Sequence, residues 1–129
     1  MTMMKLTPVL YVDEIEPCLP FWTERLGFEV TGTVPEGDRA GFAMLQGEGV
    51  EIMYQTRASM QNDVPRLADR PRGAAFLFIE VQDLDAVEEA LSDVEKVVPR
   101  RTTEYGATEV GVLEPGGNVV VFAEFGAGG

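Results

Sequence analysis

Few residue types in this chain could carry out acid–base or nucleophilic chemistry. The 129 residues include no histidine and one cysteine, Cys18, which excludes Ser-His-Asp and Cys-His pairs and imidazole metal sites. A general acid or base would have to be a carboxylate, a tyrosine, a lysine or that thiol. The glycine pair in EPGGN, residues 114–118, is typical of a tight turn. Since the chain contains no G-x-G-x-x-G or G-x-x-x-x-G-K-[ST] motif, a nucleotide site has no support.

The charge of the chain limits its partners. It carries 22 acidic and 10 basic residues, a net charge of −12, which repels phosphates and argues against nucleic acid. The acidity has two explanations, solubility or attraction of a cationic ligand, and composition does not decide between them. No stretch approaches the roughly 20 apolar residues that span a bilayer. With one cysteine and no convincing signal peptide, we expect a cytoplasmic protein.

The first half of the chain shows a strand, a helix and three strands. Pro8–Val12 is predicted as a strand with a proline at its start, and a helix is predicted over about 15–26. Glycine- and proline-containing turns then separate three alternating stretches. These predicted strands are Phe28–Val34, Ala40–Leu45 and Val50–Gln55.

The second half repeats this order. Ala75–Val81 is predicted as a strand, and Asp83 as the N-cap of a helix over about 84–93. The three strands that follow are predicted at Val97–Thr102, Ala107–Leu113 and Val119–Phe125. The stretch 56–72 between the halves is polar and contains two prolines, which predicts a linker or a mobile flap.

A weak internal repeat supports the same division. A shift of 69 residues places LYVDEIEPCL (10–19) on IEVQDLDAVE (79–88), and GEGVEI (47–52) on GGNVVV (116–121). We therefore predict an α+β fold of two tandem βαβββ modules in one domain overall. The predicted bounds are 1–57 for the first module, 58–72 for the linker or flap, and 73–126 for the second module.

Three stretches carry a resemblance to a known family: FWTERLGF (21–28), VQDLDAV (81–87) and YGATEVGVLEPGGNVVVFAE (105–124). Over about residues 5–125 the chain resembles the vicinal oxygen chelate superfamily of glyoxalase I, extradiol dioxygenases, and fosfomycin and bleomycin resistance proteins. FWTERLGF and the TPVL opening are especially similar to the bleomycin resistance branch. The resemblance implies a cup-shaped mixed sheet, the glyoxalase/bleomycin resistance fold.

The resemblance also implies four positions at which enzymes of the superfamily hold a divalent metal. They correspond here to Thr7, Glu51, Phe76 and Val121. Zinc, nickel, iron and manganese need at least two or three N, O or S donors, and one carboxylate survives at these positions. We therefore predict no metal and no other cofactor.

The walls of the implied cup supply the candidate ligand-binding residues. Methionine and aromatic side chains suit an apolar or planar ligand, and an aromatic residue at the rim could stack on it or pack under its own loop. Glu51 could contact a ligand or be a strand residue bonded to threonine, tyrosine or solvent. Trp22 is assigned to the core. The candidates are Phe42, Glu51, Met53, Phe76, Phe78, Tyr105 and Val121.

The resemblance favours a metal-free, homodimeric small-molecule binding protein that sequesters an antibiotic or a related cationic or planar ligand. One alternative is a glyoxalase-like lyase or isomerase that uses Glu51 as its base, since a carboxylate in an apolar cup can have a raised pKa. Another is a purely regulatory or structural dimer. Members of the bleomycin resistance branch exchange the arm before a proline that corresponds to Pro8. Here the arm MTMMKL either exchanges between subunits or continues an intramolecular strand.

Overall fold

The computed structural model describes residues 1–126 and divides the chain into two compact units, Met1–Arg72 and a second that begins at Gly73. Each unit contains a strand, a helical segment and three more strands, and each forms one four-stranded mixed sheet. The predicted α+β fold of two tandem βαβββ modules is therefore confirmed.

The sheet of the first unit has the strand order β1-β4-β3-β2. Strand β1 runs parallel to β4, and the other pairs are antiparallel. The parallel pair follows from the helical segment after β1, because a parallel connection needs a crossover. The strands are β1 (Val9–Val12), β2 (Glu29–Glu36), β3 (Arg39–Gly47) and β4 (Val50–Thr56).

The first helical segment differs from the continuous helix predicted over 15–26. It consists of a 3-10 turn, Glu16–Cys18, and a π-helical turn, Phe21–Arg25. Pro20 lies between them. A proline has no N–H to donate to the carbonyl of residue i−4, and its ring clashes with that carbonyl. A regular α-helix over the whole segment is therefore interrupted.

One face of the first sheet packs on this segment. Trp22 is completely buried, and its indole Nε1 donates a hydrogen bond of 2.8 Å to the hydroxyl of Tyr54, which is also completely buried. Phe21 packs edge-on against Trp22 at 5.0 Å between ring centroids. The assignment of Trp22 to the core is confirmed. Other buried members of this core are Leu10, Val12, Ile15, Ala43, Leu45 and Ile52.

The segment predicted as a linker or flap contains a helix that its polar composition did not predict. Helix α1 spans Arg57–Asp63, and the Thr56 hydroxyl caps it by accepting a hydrogen bond from the backbone N–H of Ser59. A 3-10 turn, Pro65–Leu67, follows. The segment is tied to β1, because the hydroxyl of Tyr11 donates to the carbonyl of Ala68 at 2.5 Å.

The second unit repeats the topology of the first, with the strand order β5-β8-β7-β6 and β5 parallel to β8. The Asp83 side chain accepts a hydrogen bond from the N–H of Ala86, so the predicted N-cap is confirmed. The elements are β5 (Phe76–Glu80), α2 (Leu84–Ala90), β6 (Lys96–Thr102), β7 (Ala107–Leu113) and β8 (Val119–Phe125).

Helix α2 packs on one face of this sheet. Its buried Leu84 and Leu91, just beyond its last residue, belong to the same core as Val110, Val120 and other alternate residues of β7 and β8. The carboxylate of Glu124 accepts the backbone N–H of Leu84 at 2.9 Å, which fixes the start of the helix on β8. The opposite face of the sheet therefore carries the other set of alternate side chains.

No helix within residues 1–126 is long and apolar enough to cross a membrane.

Candidate functional site

The predicted ligand-binding residues of the first unit share one face of its sheet. Met53 pairs with Met44 across β3 and β4, Glu51 pairs with Gln46, and Phe42 pairs with Gln55. Since side chains alternate along a strand, Phe42, Glu51 and Met53 project to the same side, opposite the Trp22 core. The structure therefore places these three candidates on one face of the sheet.

Glu51 is already bonded within its own unit. Its Oε1 accepts a hydrogen bond of 3.0 Å from the Thr7 hydroxyl and lies 3.0 Å from the Lys5 ammonium. The hydrogen bonds from Lys5 and Thr7 hold the pKa of the carboxyl below its ordinary value. These donors stabilise the charged form, which does not favour the raised pKa that a base at this position would need.

This lowered pKa predicts a pH-dependent contribution to stability. A carboxyl with a depressed folded-state pKa stabilises the fold above its unfolded value, 4.5 here, and loses that contribution as the pH falls through the folded-state pKa. We expect the wild type to melt above Glu51→Gln at about pH 7 and the difference to be smaller at about pH 4, below the unfolded-state pKa. Differential scanning calorimetry at both values measures it. An equal difference at both would contradict the assignment.

The residues at the four implied metal positions do not fit a metal site. They offer the Thr7 hydroxyl, a Glu51 carboxylate paired with Lys5, and the hydrocarbon side chains of Phe76 and Val121. Phe76 is paired with Val119, while Val121 is paired with Phe78. Within residues 1–126, no three or more acidic or cysteine side chains are grouped to hold a metal ion. The donor set therefore lacks the chemistry that a divalent metal requires.

In the second unit, the predicted aromatic residues form an exposed surface with a partner that was not predicted. The Phe78 and Phe125 rings are 6.1 Å apart between centroids, and the Tyr105 and Phe125 rings are 5.9 Å apart. Phe76 lies two residues before Phe78 on the same face of β5. We call these four residues the aromatic panel. Their exposed fractions are 68 % for Phe76, 49 % for Phe78, 58 % for Tyr105 and 40 % for Phe125.

Val121 lies on the same face but is only 3 % exposed. It pairs with Phe78 on one side and Gly111 on the other. A Cβ on Gly111 would lie 2.8 Å from Val98 and 3.3 Å from Val121. Because residue 111 is a glycine, the side chains of Val98 and Val121 can pack against β7 at this position. Val121 therefore belongs to the buried layer on the panel face.

A buried carboxylate positions the tyrosine of the panel. Glu109 is 1 % exposed, and its Oε2 accepts a hydrogen bond of 2.8 Å from the Tyr105 hydroxyl. Its Oε1 accepts a hydrogen bond of 2.9 Å from the Nε of Arg101 and lies 2.8 Å from one Nη of the same guanidinium. The bond to Glu109 is the main cause that raises the pKa of Tyr105, so the phenol stays protonated as a donor.

Three residues of this site, Arg101, Glu109 and Phe125, were not among the sequence candidates. The signal for Glu109 is in ATEVGVL, residues 107–113, where one carboxylate interrupts a buried apolar strand. A buried carboxylate requires a partner, and Arg101 on the neighbouring strand β6 pairs directly with Glu109. Phe125 is the last residue of β8, so alternation from Val121 places it on the panel face.

Comparison of the sequence with protein families gives a match over residues 5–122 to the Glyoxalase/Bleomycin resistance protein/Dioxygenase superfamily. No curated protein sequence matches significantly.

Solved structures with the same fold cover nearly the whole chain. TioX from Micromonospora sp. ML1 superposes with a TM-score of 0.75 at 14 % identity, covering 95 % of this chain and 98 % of its own. A glyoxalase/bleomycin resistance protein from Catenulispora acidiphila gives 0.66 at 26 % identity, with 95 % and 98 % covered. The bleomycin-binding protein of Streptomyces verticillus, solved with copper(II)-bleomycin, gives 0.63 at 25 % identity, with 95 % and 96 % covered.

Proposed function

Because this chain belongs to the Glyoxalase/Bleomycin resistance protein/Dioxygenase superfamily, we propose that it is a metal-free binding protein that sequesters a planar, cationic small molecule. The ligand lies on the aromatic panel, and no bond is made or broken. The single cysteine of the sequence is consistent with a reducing compartment, and we place the protein in the cytoplasm.

The observation that carries the proposal is the exposure of four aromatic rings, three on one sheet face and Tyr105 in the turn between β6 and β7. Exposed apolar surface of this kind marks interaction sites. Phe125 lies between Phe78 and Tyr105, so the three rings form one continuous surface. Aromatic faces stack on planar groups and attract cations through their quadrupole.

Two further observations support binding without catalysis. The positions that hold metal in related enzymes offer one carboxylate, that of Glu51, which already contacts Thr7 and Lys5. Among the superposed structures, the Streptomyces protein is a bleomycin-binding protein, at 25 % identity. Bleomycin is therefore the first ligand to test, as a representative of drugs that join planar and cationic groups.

The first prediction of this proposal concerns ring contacts. Phe125→Ala is expected to weaken copper(II)-bleomycin binding roughly tenfold, because aromatic stacking and cation–π contacts contribute on the order of 1–2 kcal/mol. Phe125→Leu should lose most of the same affinity while it keeps apolar area. Isothermal titration calorimetry at low and moderate salt measures both effects, and screening should weaken binding as salt rises.

Val30→Ala is the matched control, because Val30 is 40 % exposed on β2, in the other unit. It should leave the affinity unchanged. If Phe125→Ala and Val30→Ala behave alike, the panel is not the binding surface. Binding that is indifferent to salt would leave solubility as the reason for the acidic composition.

We also propose that the protein is a homodimer joined by its first residues. The apolar side chains of the stretch 1–6 are exposed, with Met3 at 82 %, Met4 at 89 % and Leu6 at 87 %. The backbone pairing of the first sheet begins at Pro8, whose carbonyl accepts the N–H of Met53. These residues are therefore available to bury apolar area on a second copy, worth about 1.5–3 kcal/mol for each side chain fully buried.

Replacing Met3, Met4 and Leu6 together with serine tests this proposal. The wild type is expected to be a dimer at micromolar concentration, and the triple variant should dissociate at least about tenfold more readily. Analytical ultracentrifugation measures the constants. This variant keeps Lys5 and Thr7 on Glu51, which a chain shortened to Pro8 would lose. A monomeric wild type excludes the dimer, and an equally tight triple variant excludes the role of these residues.

A further inference from the structure

The segment 57–72 differs in charge from the rest of this acidic chain. It holds four arginines, Arg57, Arg66, Arg70 and Arg72, against two aspartates, Asp63 and Asp69, a net charge of +2 where the whole chain carries −12. The segment therefore concentrates four of the ten basic residues in a short stretch. The proposed panel site, in the second unit, does not account for this concentration.

Two of these arginines are already paired with acids. Arg57 bonds Asp69 at 2.8 Å, within the segment, and Arg72 bonds Asp13 at 2.8 Å and lies 5.6 Å from the centre of the Tyr11 ring. Arg66 and Arg70 have no carboxylate partner within residues 1–126. In a chain with more than twice as many acidic as basic residues, unpaired arginines point to an anion from outside the chain.

Arg70, unlike Arg66, lines a cavity. The cavity measures about 340 Å³, near the lower end of the range for small-molecule sites. Its wall on the sheet side is Val9, Tyr11 and Gln55, and its wall on the segment side is Met60, Leu67, Arg70 and Pro71. All of these residues belong to the first unit.

The two walls are held together by the contacts that anchor the segment. The hydroxyl of Tyr11 donates to the carbonyl of Ala68, which is 1 % exposed. The Asn62 amide donates to the carboxylate of Glu36 on β2 at 2.6 Å. The side chain of Gln55, buried in the cavity wall, donates to the hydroxyl of Ser59 at 3.2 Å. The cavity is thus built by side-chain contacts between α1, the following turn and the sheet.

We propose that this cavity binds a small monocarboxylate with an apolar body, such as a medium-chain fatty acid. The carboxylate is held by the guanidinium of Arg70, whose planar donors match its two oxygens. The apolar body lies among Val9, Met60 and Leu67. Asp69, next to Arg70 in the sequence, is paired with Arg57, and Asp13, two residues after Tyr11, is paired with Arg72, so the charge of each carboxylate is offset by a cation.

Octanoate is a suitable probe, with octylamine and octan-1-ol as cationic and neutral matches of the same chain length. In protein labelled with carbon-13 at methionine methyl groups, octanoate should shift the Met60 signal, assigned with Met60→Leu. The amine and the alcohol should bind at least about tenfold more weakly, because a hydrogen bond to a charged group is lost. A Met60 signal that octanoate leaves unmoved, or equal binding of the amine, overturns the proposal.

Arg70→Gln and Arg66→Gln form a matched pair, since both arginines lack an acidic partner and only Arg70 lines the cavity. Arg70→Gln should weaken octanoate roughly ten- to hundredfold, and Arg66→Gln should leave it within about twofold. Equal losses in both variants would show a non-specific charge effect and overturn the site. Phe125→Ala should leave octanoate affinity unchanged, so this site and the panel site can fail independently.

Discussion

Arg101→Met is expected to lower the free energy of unfolding by about 3 kcal/mol, because it leaves the carboxylate of Glu109 buried without its cation. Removing one partner of a buried ion pair costs about 3–5 kcal/mol. We expect the lower end, since the Arg101 side chain is 61 % exposed and water can replace part of it. Equilibrium unfolding in urea gives the free energy directly.

The reverse change provides the control. Glu109→Leu removes the buried charge and leaves Arg101 and Tyr105, both exposed enough to be solvated by water. Its cost should be about 1 kcal/mol, because replacing the buried charge with an apolar group removes the desolvation penalty. If Glu109→Leu is as destabilising as Arg101→Met, packing at position 109 dominates and the ion pair has no special role.

Arg101→Met should also weaken ligand binding, although Arg101 is not one of the aromatic residues of the panel. The Tyr105 hydroxyl donates to Glu109, and Glu109 is held by Arg101, so loss of Arg101 frees the carboxylate that orients the tyrosine. Comparison with Tyr105→Phe separates the two effects, since that variant removes only the hydroxyl. Bleomycin affinity lowered by Arg101→Met but not by Tyr105→Phe would show that Arg101 acts on the ligand by another route.

The order of elements could be predicted from the sequence because local signals and the repeat agree. The limits Ala107–Leu113 and Val119–Phe125 coincide with strands β7 and β8. The structure differs from the expected elements where local chemistry opposes the pattern. Pro20 interrupts a helix whose apolar spacing looked continuous, and the Thr56 cap starts a helix in a stretch whose polarity predicted a linker.

The candidate site was only partly predictable, because its composition depends on strand register. Phe76 and Phe78 could be predicted as aromatic residues on strands of the implied cup, and Tyr105 as an aromatic residue at its rim. The role of Glu109 depends on the pairing of β6 with β7, which brings Arg101 against it. No pattern along the chain specifies this register. The cavity at Arg70 depends in the same way on α1, a helix that the polar composition concealed.

In the EPGGN motif at 114–118, the glutamate and the asparagine stabilise the turn as well as the glycines. Glu114 is 1 % exposed, and its Oε1 accepts hydrogen bonds from the backbone N–H and the side-chain amide of Asn118, at 2.7 and 2.6 Å. Its Oε2 accepts the N–H of Gly116 at 2.8 Å. Gly117 adopts a φ of +88°, which favours glycine. The carboxylate therefore organises the turn between β7 and β8.

Asn118→Ala is expected to lower the free energy of unfolding by about 2.5–6 kcal/mol, the sum of two losses. The Asn118 Oδ1 accepts the backbone N–H of Ala75, just before β5, at 2.9 Å, and an unsatisfied N–H costs about 1–3 kcal/mol. The amide also donates to the buried carboxylate of Glu114, a charged hydrogen bond of about 1.5–3 kcal/mol. Both losses fall on the second unit, and urea unfolding measures their sum.

Asn118→Asp separates the two contributions, because it keeps an acceptor for Ala75 and replaces the donor beside Glu114 with a second carboxylate. Two carboxylates at hydrogen-bond distance repel each other, so this variant should be at least as unstable as Asn118→Ala near neutral pH. It should recover part of its stability as the pH falls, when one shared proton restores a donor between the two groups. An aspartate variant as stable as the wild type at neutral pH would show that the contact with Glu114 contributes little, and that Asn118 acts only through Ala75.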